Sequence, residues 1–317
     1  DFLSGLSDHH PLVGQLLYNR GLTEEVAIKN FLDPNPDNYI HSFRDFKFID
    51  PVVDLIIQHI KNGSHITVYG DYDADGVTAS ALLVEVLTTL HAQADVYLPE
   101  RVSEGYGLNN DALKCIADKG TKLIITVDTG IRNKQEVEYA KELGLDIVIT
   151  DHHTPPEDPA ELPDCPILSP LLPDETYPFK LLAGVGVAYK LMEALVDRAN
   201  IPDDLKSKLT ERGLDLLAIG TVADCVALLD ENRAIVKKSL PAIDSSKRIG
   251  LLELIEAAKI NTRGLPINSW NIGFQIAPRL NAAGRMDHAN TAYELLTTTD
   301  KARAKDLAKE LNFRNIE

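Results

Sequence analysis

Three β-branched apolar runs, at residues 65–69, 122–127 and 146–150, open onto the aspartates Asp71, Asp128 and Asp151, with stretches of helical periodicity between them. Strands that alternate with helices at this interval run parallel, so the chain is predicted to be α/β, a parallel sheet with helices on both faces. Such sheets bind ligands beyond the carboxyl ends of their strands. Asp71, Asp128 and Asp151, which follow Gly70, Val127 and Thr150, therefore converge on one edge.

Around these strands the pattern predicts helices over 51–60, 76–90, 110–119 and 133–143 and a further strand over 94–98. Pro11 to Leu32 reads as two short helices, Gly21 ending the first and Thr23 capping the second. A Pro-rich loop over 155–178 separates this half from one predicted to be helical: 181–199, 203–219, 233–240, 250–259 and 290 to the end. The expected division is a helical extension over 1–60, a catalytic domain over 61–245, and over 246–317 the rest of that domain with the start of a linker helix. The last helix carries no Gly or Pro stop signal, which suggests a truncation ahead of another domain.

At 317 residues the chain can bury a real core. It has no apolar run long enough to span a bilayer and no basic-then-apolar leader, so a cytoplasmic protein without membrane contact is expected. Cys115, Cys165 and Cys225 are odd in number and widely spaced, which points to reduced, buried thiols. A net charge of −16 ordinarily counts against a nucleic-acid partner. Carboxylates gathered around cations would contribute to that charge, and the cations would return positive charge where a phosphate sits.

The acidic segments are Asp71-Tyr72-Asp73-Ala74-Asp75-Gly76, Val127-Asp128-Thr129-Gly130, Asp151-His152-His153 and Thr221-Val222-Ala223-Asp224-Cys225. If the first stays extended, its alternate aspartates point to one side before Gly76 turns the chain into a helix. Asp128 can bridge two cations, His152 adds an imidazole, and Asp224 completes a mixed shell suited to Mn²⁺ first and Mg²⁺ second. Two cations about 3.5 to 4 Å apart suit hydrolytic phosphoryl transfer. A calcium loop is disfavoured because its twelfth position is Leu82 rather than Glu. Gly184-Val185-Gly186 looks dinucleotide-like but follows no convincing strand, so its glycines are assigned to packing. An isolated His-His pair or strand-end Asp would mean little; the joint occurrence carries the prediction.

Together these segments resemble the four motifs of the DHH phosphoesterase superfamily. Segments before, between and after them, PLVGQLLYNRG, RVSEGYGLN, GVGVAYKL and APRLNAAGRM, resemble its bacterial branch of single-strand-specific exonucleases. Short relatives carry a His before the DxD pair and lack the EGYG and RLNAAGR segments. The resemblance implies a 5′-to-3′ exonuclease that hydrolyses single-stranded DNA to 5′-mononucleotides in recombination and repair. It also implies action as a monomer, with a helicase and a single-strand-binding protein as possible partners. It places Asp73 on one cation and Asp75 on the other, Asp128 between them, and His152 and Asp224 on the second, with Asp71 replacing the relatives' His. His153 then faces the scissile phosphate, and Asp151 orients an imidazole. Asp75, Asp128 and His153 form the expected catalytic set.

For substrate binding, Arg279, Asn281 and Arg285 suit phosphate contacts, and Tyr106 suits stacking on an unpaired base or a structural place at a loop corner. Trp270 and Phe274 are assigned only to the core. The alternatives are a nano-RNase or small-substrate phosphatase of the same superfamily, and a non-catalytic scaffold of the Cdc45 kind.

Overall fold

A computed structural model describes residues 10–260, 264–285 and 289–316, the side chain of Arg285 excepted. Five parallel strands, β1 (His65–Gly70), β2 (Gln93–Tyr97), β3 (Thr121–Val127), β4 (Asp146–Thr150) and β5 (Ile167–Leu168), form one sheet in the order β2-β1-β3-β4-β5. The two faces are apolar for the usual period-two reason. Ile66, Val68, Leu123, Ile125 and Val148 point into the larger core, while Tyr69, Ile124, Ile147 and Ile149 point into a smaller one. Helices Ile49–Lys61, Ala74–Thr89 and Gly184–Arg198 cover the first face, and Asn110–Asp118 and Lys134–Glu142 the second.

This strand order reverses direction between β1 and β3, and a crevice opens at such a switch point. Register sharpens the effect. Gly70 pairs with Val127, Val127 with Thr150, and Thr150 with Leu168. The following residues, Asp71, Asp128, Asp151 and Ser169, therefore stand in a row across the carboxyl edge, one strand spacing of about 4.8 Å apart. The amides of Asp71, Asp128 and Asp151 prolong the ladder by donating to Val127, Thr150 and Leu168 carbonyls at 3.3, 3.0 and 3.1 Å.

Several expectations need correction. The Pro-rich loop contains β5, whose two residues are too few for a sequence pattern to register. The predicted helix over 203–219 breaks at Gly213 into Asp203–Arg212 and Leu214–Ala223. The last predicted helix is two, Ala289–Thr297 and Lys301–Ile316, and Asp300 caps the second. Glu24, not Thr23, stands at the N-cap of Glu25–Leu32. The cysteines are free, but Cys115 and Cys225 are exposed rather than buried. Trp270 and Phe274 are not core residues: they are 58% and 69% exposed and stacked on each other at 5.6 Å, on a Ser269–Asn271 turn and a π-helical segment, Ile272–Ile276. Alternation with buried Ile272 and Ile276 sets them on the outer face. None of the helices among the described residues is long and apolar enough to cross a membrane.

The chain near His41 is tied to the core by a buried charge pair. Lys190, in helix Gly184–Arg198, lies 3.1 Å from Glu231, which also accepts from Tyr177 Oη at 2.8 Å and from His41 N at 3.0 Å. Both charges are almost fully buried. Lys190→Met should cost about 3–5 kcal/mol, because it strands the Glu231 carboxylate without a countercharge. Urea unfolding reads that loss.

Candidate metal centre

The Asp-rich segment does not stay extended. Asp73 is the N-cap of helix Ala74–Thr89, accepting from Asp75 N at 2.8 Å and Gly76 N at 3.0 Å, so the helix begins inside the motif. Capping by an aspartate satisfies two otherwise orphaned amides. Asp71 thus lies at the strand end, Asp73 at the cap and Asp75 in the first turn. Asp75 reaches across to the start of helix Gly184–Arg198, where it accepts from Gly184 N at 2.7 Å and Val185 N at 2.9 Å. The helix N-terminus favours that carboxylate. The Gly-Val-Gly segment, read from sequence as packing, is this helix start.

Gly184 has a second reason to be glycine. A Cβ there would fall 2.6 Å from Asp128 Oδ1, so only a bare backbone lets the helix approach the central carboxylate. Asp128 itself has a left-handed backbone, φ +62°, and is buried. His152 Nε2 stands 3.0 Å from Asp128 Oδ1 and 3.7 Å from Asp224 Oδ2. Asp224 follows helix Leu214–Ala223 as its C-cap. Asp151 orients the histidine segment, accepting from Ile131 N at 3.0 Å, His152 N at 2.8 Å, His153 N at 3.1 Å and His153 Nδ1 at 2.8 Å. Arg132, which the sequence did not single out, pins the following loop by donating to the carbonyls of Thr154 and Pro155.

Among the described residues three donor groups result: Asp71, Asp73 and Asp128; Asp75, His152 and Asp224; and Asp128, His152 and His153, each with ligand atoms within 4.8 Å of one another. Asp128 belongs to two of them. Buried Asp71 Oδ1, Asp128 Oδ1 and His152 Nε2 make no hydrogen bond, the last two facing each other at 3.0 Å, an arrangement that is costly unless something else meets those lone pairs. Among the described residues, the ion-pair partners of these carboxylates are imidazoles only. Burial pushes Asp71 up to about 7, with Asp73 adding repulsion, and Asp224 up to about 6 for the same two reasons. Burial likewise raises Asp75, reinforced by Asp224, and Asp128, reinforced by Asp75. Asp151 behaves oppositely: burial raises it, but the bond and charge of His153 hold it low. Hard oxygen donors, an imidazole and unrelieved negative charge fit a pair of divalent cations.

The predicted substrate residues are placed differently from one another. Asn281, in helix Ala277–Arg285, does not face outward: its Oδ1 accepts the Ala74 amide at 2.7 Å and so braces the Asp-rich loop. Gly284 lets the same helix settle there, since its Cβ would meet Tyr72 O at 2.5 Å. Arg279 donates to Asn312 Oδ1 at 2.9 Å and to the Gln275 carbonyl at 2.6 Å. The side chain of Arg285 lies outside the described residues. Tyr106 sits beside His153, its ring half exposed and its hydroxyl turned inward.

A five-stranded parallel sheet with this donor row at its switch point defines a DHH-type domain. Residues 65–221 match the DHH family, N-terminal domain, and this stretch of the chain belongs to that family. Within it the similarity is to RecJ. The chain is 44% identical over 308 residues to the single-stranded-DNA-specific exonuclease RecJ of Bacillus subtilis (strain 168), covering 97% of this chain and 37% of the relative. It is 35% identical to that of Haemophilus influenzae, covering 96% of this chain and 52% of the relative. It therefore spans about half or less of these relatives' length. A crystal structure of exonuclease RecJ bound to manganese superposes with a TM-score of 0.75 at 36% identity, over 86% of this chain and 66% of the other. RecJ in complex with Mn²⁺ from Thermus thermophilus gives 0.78 at 32%, over 99% and 43%.

Proposed function

We propose that this chain is the catalytic part of a metal-dependent exonuclease that degrades single-stranded DNA from its 5′ end to 5′-mononucleotides, in the cytoplasm, during recombination and repair. A monomer working with a helicase and a single-strand-binding protein fits this reading, as does a division into a helical extension over 1–60, a catalytic domain over 61–245 and a remainder over 246–317. The observation that carries it is the pair of donor groups Asp71, Asp73, Asp128 and Asp75, His152, Asp224, joined where His152 Nε2 stands 3.0 Å from Asp128 Oδ1, with Asp71 Oδ1 buried and without a hydrogen bond.

In this reading Asp71, Asp73 and Asp128 hold one cation, and Asp75, His152 and Asp224 the other, with Asp128 between. Mn²⁺, or Mg²⁺ in its place, supplies the Lewis acidity that activates water and offsets phosphoryl charge. The protein's own groups set the rest. Asp75 is fixed by two helix amides, so its orientation is settled before a cation arrives. His153 commits Nδ1 to Asp151, which leaves Nε2 to hold a proton toward the departing oxygen. Tyr106 offers its exposed ring face to a base, a contact indifferent to sequence. Arg279 and Arg285 are assigned to phosphates of the strand, while Asn281 serves the loop that carries the ligands.

The test compares a long 5′-phosphorylated single-stranded oligonucleotide with a dinucleotide and pyrophosphate, each with Mn²⁺. Stepwise release of mononucleotides from the long strand is expected. Cleavage confined to the small substrates would move the chain to the nano-RNase or phosphatase alternative, and absence of Mn²⁺ binding by calorimetry would leave only a scaffold.

A further inference from the structure

Tyr106 is held with more care than a stacking platform requires. Gly105 at φ +83° and Gly107 at φ +95° invert the backbone on either side of it. Below, Glu104 accepts from Tyr97 Oη at 2.7 Å, Glu100 N at 2.8 Å and Asn109 Nδ2 at 3.0 Å, fixing one end of the loop. At the other end Asn133 Oδ1 accepts from Leu108 N at 3.2 Å and lies where a Cβ on Gly107 would be, 2.9 Å away. The hydroxyl that this frame presents donates to the carbonyl of Asp128 at 3.2 Å and lies 3.0 Å from His153 Nδ1.

A phenol has one proton. With that proton on the Asp128 carbonyl, the oxygen can only accept from Nδ1–H of His153, which Asp151 Oδ1 also accepts at 2.8 Å. His153 is poorly packed, its side chain 44% exposed, and among the described residues it otherwise meets Asp128 Oδ1, 3.9 Å from its Nδ1, the ring of Tyr106 at 5.5 Å and that of His152 at 4.6 Å. One acceptor pins a point of an imidazole and leaves its plane free to swing; a second acceptor fixes the plane. We infer that the hydroxyl of Tyr106, as distinct from its ring, is a positioning group that locks the plane of His153 and ties it to the backbone of Asp128. The inference rests on the reading of His153 as the group facing phosphate, and assigns Tyr106 a second duty separable from base stacking.

Tyr106→Phe keeps the ring and deletes the bond. With Mn²⁺ and a 5′-phosphorylated oligothymidylate, kcat should fall about tenfold, the scale of one hydrogen bond, with KM and the calorimetric Mn²⁺ affinity unchanged. In a His153→Ala background the same change should have no further effect, since the hydroxyl acts through that ring. In the metal-free protein, the Nδ1 nitrogen resonance of His153 should shift in Tyr106→Phe. A wild-type kcat, a rise in KM with kcat intact, a full tenfold loss in the His153→Ala background, or an unmoved His153 resonance would each overturn the inference. The resonance needs no turnover, so it reports on the positioning even if the wild type fails to cleave DNA, a failure that would instead sink the functional reading.

Discussion

Asp128→Asn is expected to separate stability from function. The variant should lose Mn²⁺ affinity, and with it the exonuclease activity proposed above, by more than about a hundredfold, the upper range seen when only an outer partner of a metal ligand is removed. Its metal-free form should nevertheless melt a few degrees higher than the parent. Both follow from position. Asp128 is buried among Asp71, Asp73 and Asp75, and its ionisation is resisted by burial first and by those charges next. Asparagine tolerates the left-handed backbone and matches the shape that packs against Gly184, so the change removes charge and leaves the fit. In a chain of 317 residues each kcal/mol recovered raises the melting temperature by about 1.5 °C. Calorimetric titration, thermal unfolding in chelator and an exonuclease assay check the three outcomes. Retained manganese-dependent cleavage would show that Asp128 does not lie between two ions.

The pH dependence of the metal-free protein should run against the usual acid-labile pattern. Asp71 is raised to about 7 and Asp224 to about 6, and Asp75 and Asp128 are also raised. A carboxyl whose folded pKa lies above its unfolded value contributes stability fully below the unfolded pKa and loses it as pH rises through the folded one. For Asp71 the rise from 3.8 to about 7 corresponds to roughly 4 kcal/mol of destabilisation once the group is ionised. His153, raised by its bond to Asp151, adds in the same direction, while His152, lowered chiefly by burial, opposes it as one imidazole against four carboxyls. Asp151 is depressed and titrates below this window. Melting temperature in chelator should therefore fall between pH 5 and 8, and saturating Mn²⁺ should abolish or invert the slope. A metal-free profile flat across that interval would mean that the carboxyls are not packed as described.

The local part of this architecture can be read from the chain. β1, β3 and β4 announce themselves because alternate positions in each must satisfy two apolar faces, and the aspartates that end them are visible as breaks in that pattern. The buried helix after the Asp-rich segment is visible for the same reason. Its first turn is not, because whether Asp73 caps a helix or remains extended depends on the amides of Asp75 and Gly76 competing with other partners. Asn281 reads as a phosphate ligand from its polarity, and only the docking of Gly284 on Tyr72 shows it bound to the Ala74 amide. Hydrophobicity alone assigns Trp270 and Phe274 to the core, but it does not fix the face on which a π-helical turn presents them.

By itself the sequence determined which residues could serve, since donor chemistry, strand ends and the spacing of acidic motifs are local properties of the chain. The tertiary structure decided which of them meet. The order β2-β1-β3-β4-β5 and its register set Asp71, Asp128 and Asp151 in one row, and helix packing through Gly184 and Gly220 carried Asp75 and Asp224 to it. Those contacts join segments up to 150 residues apart, counting from Asp75 to Asp224 and rounding, and are fixed by burial and shape that no short window of sequence contains.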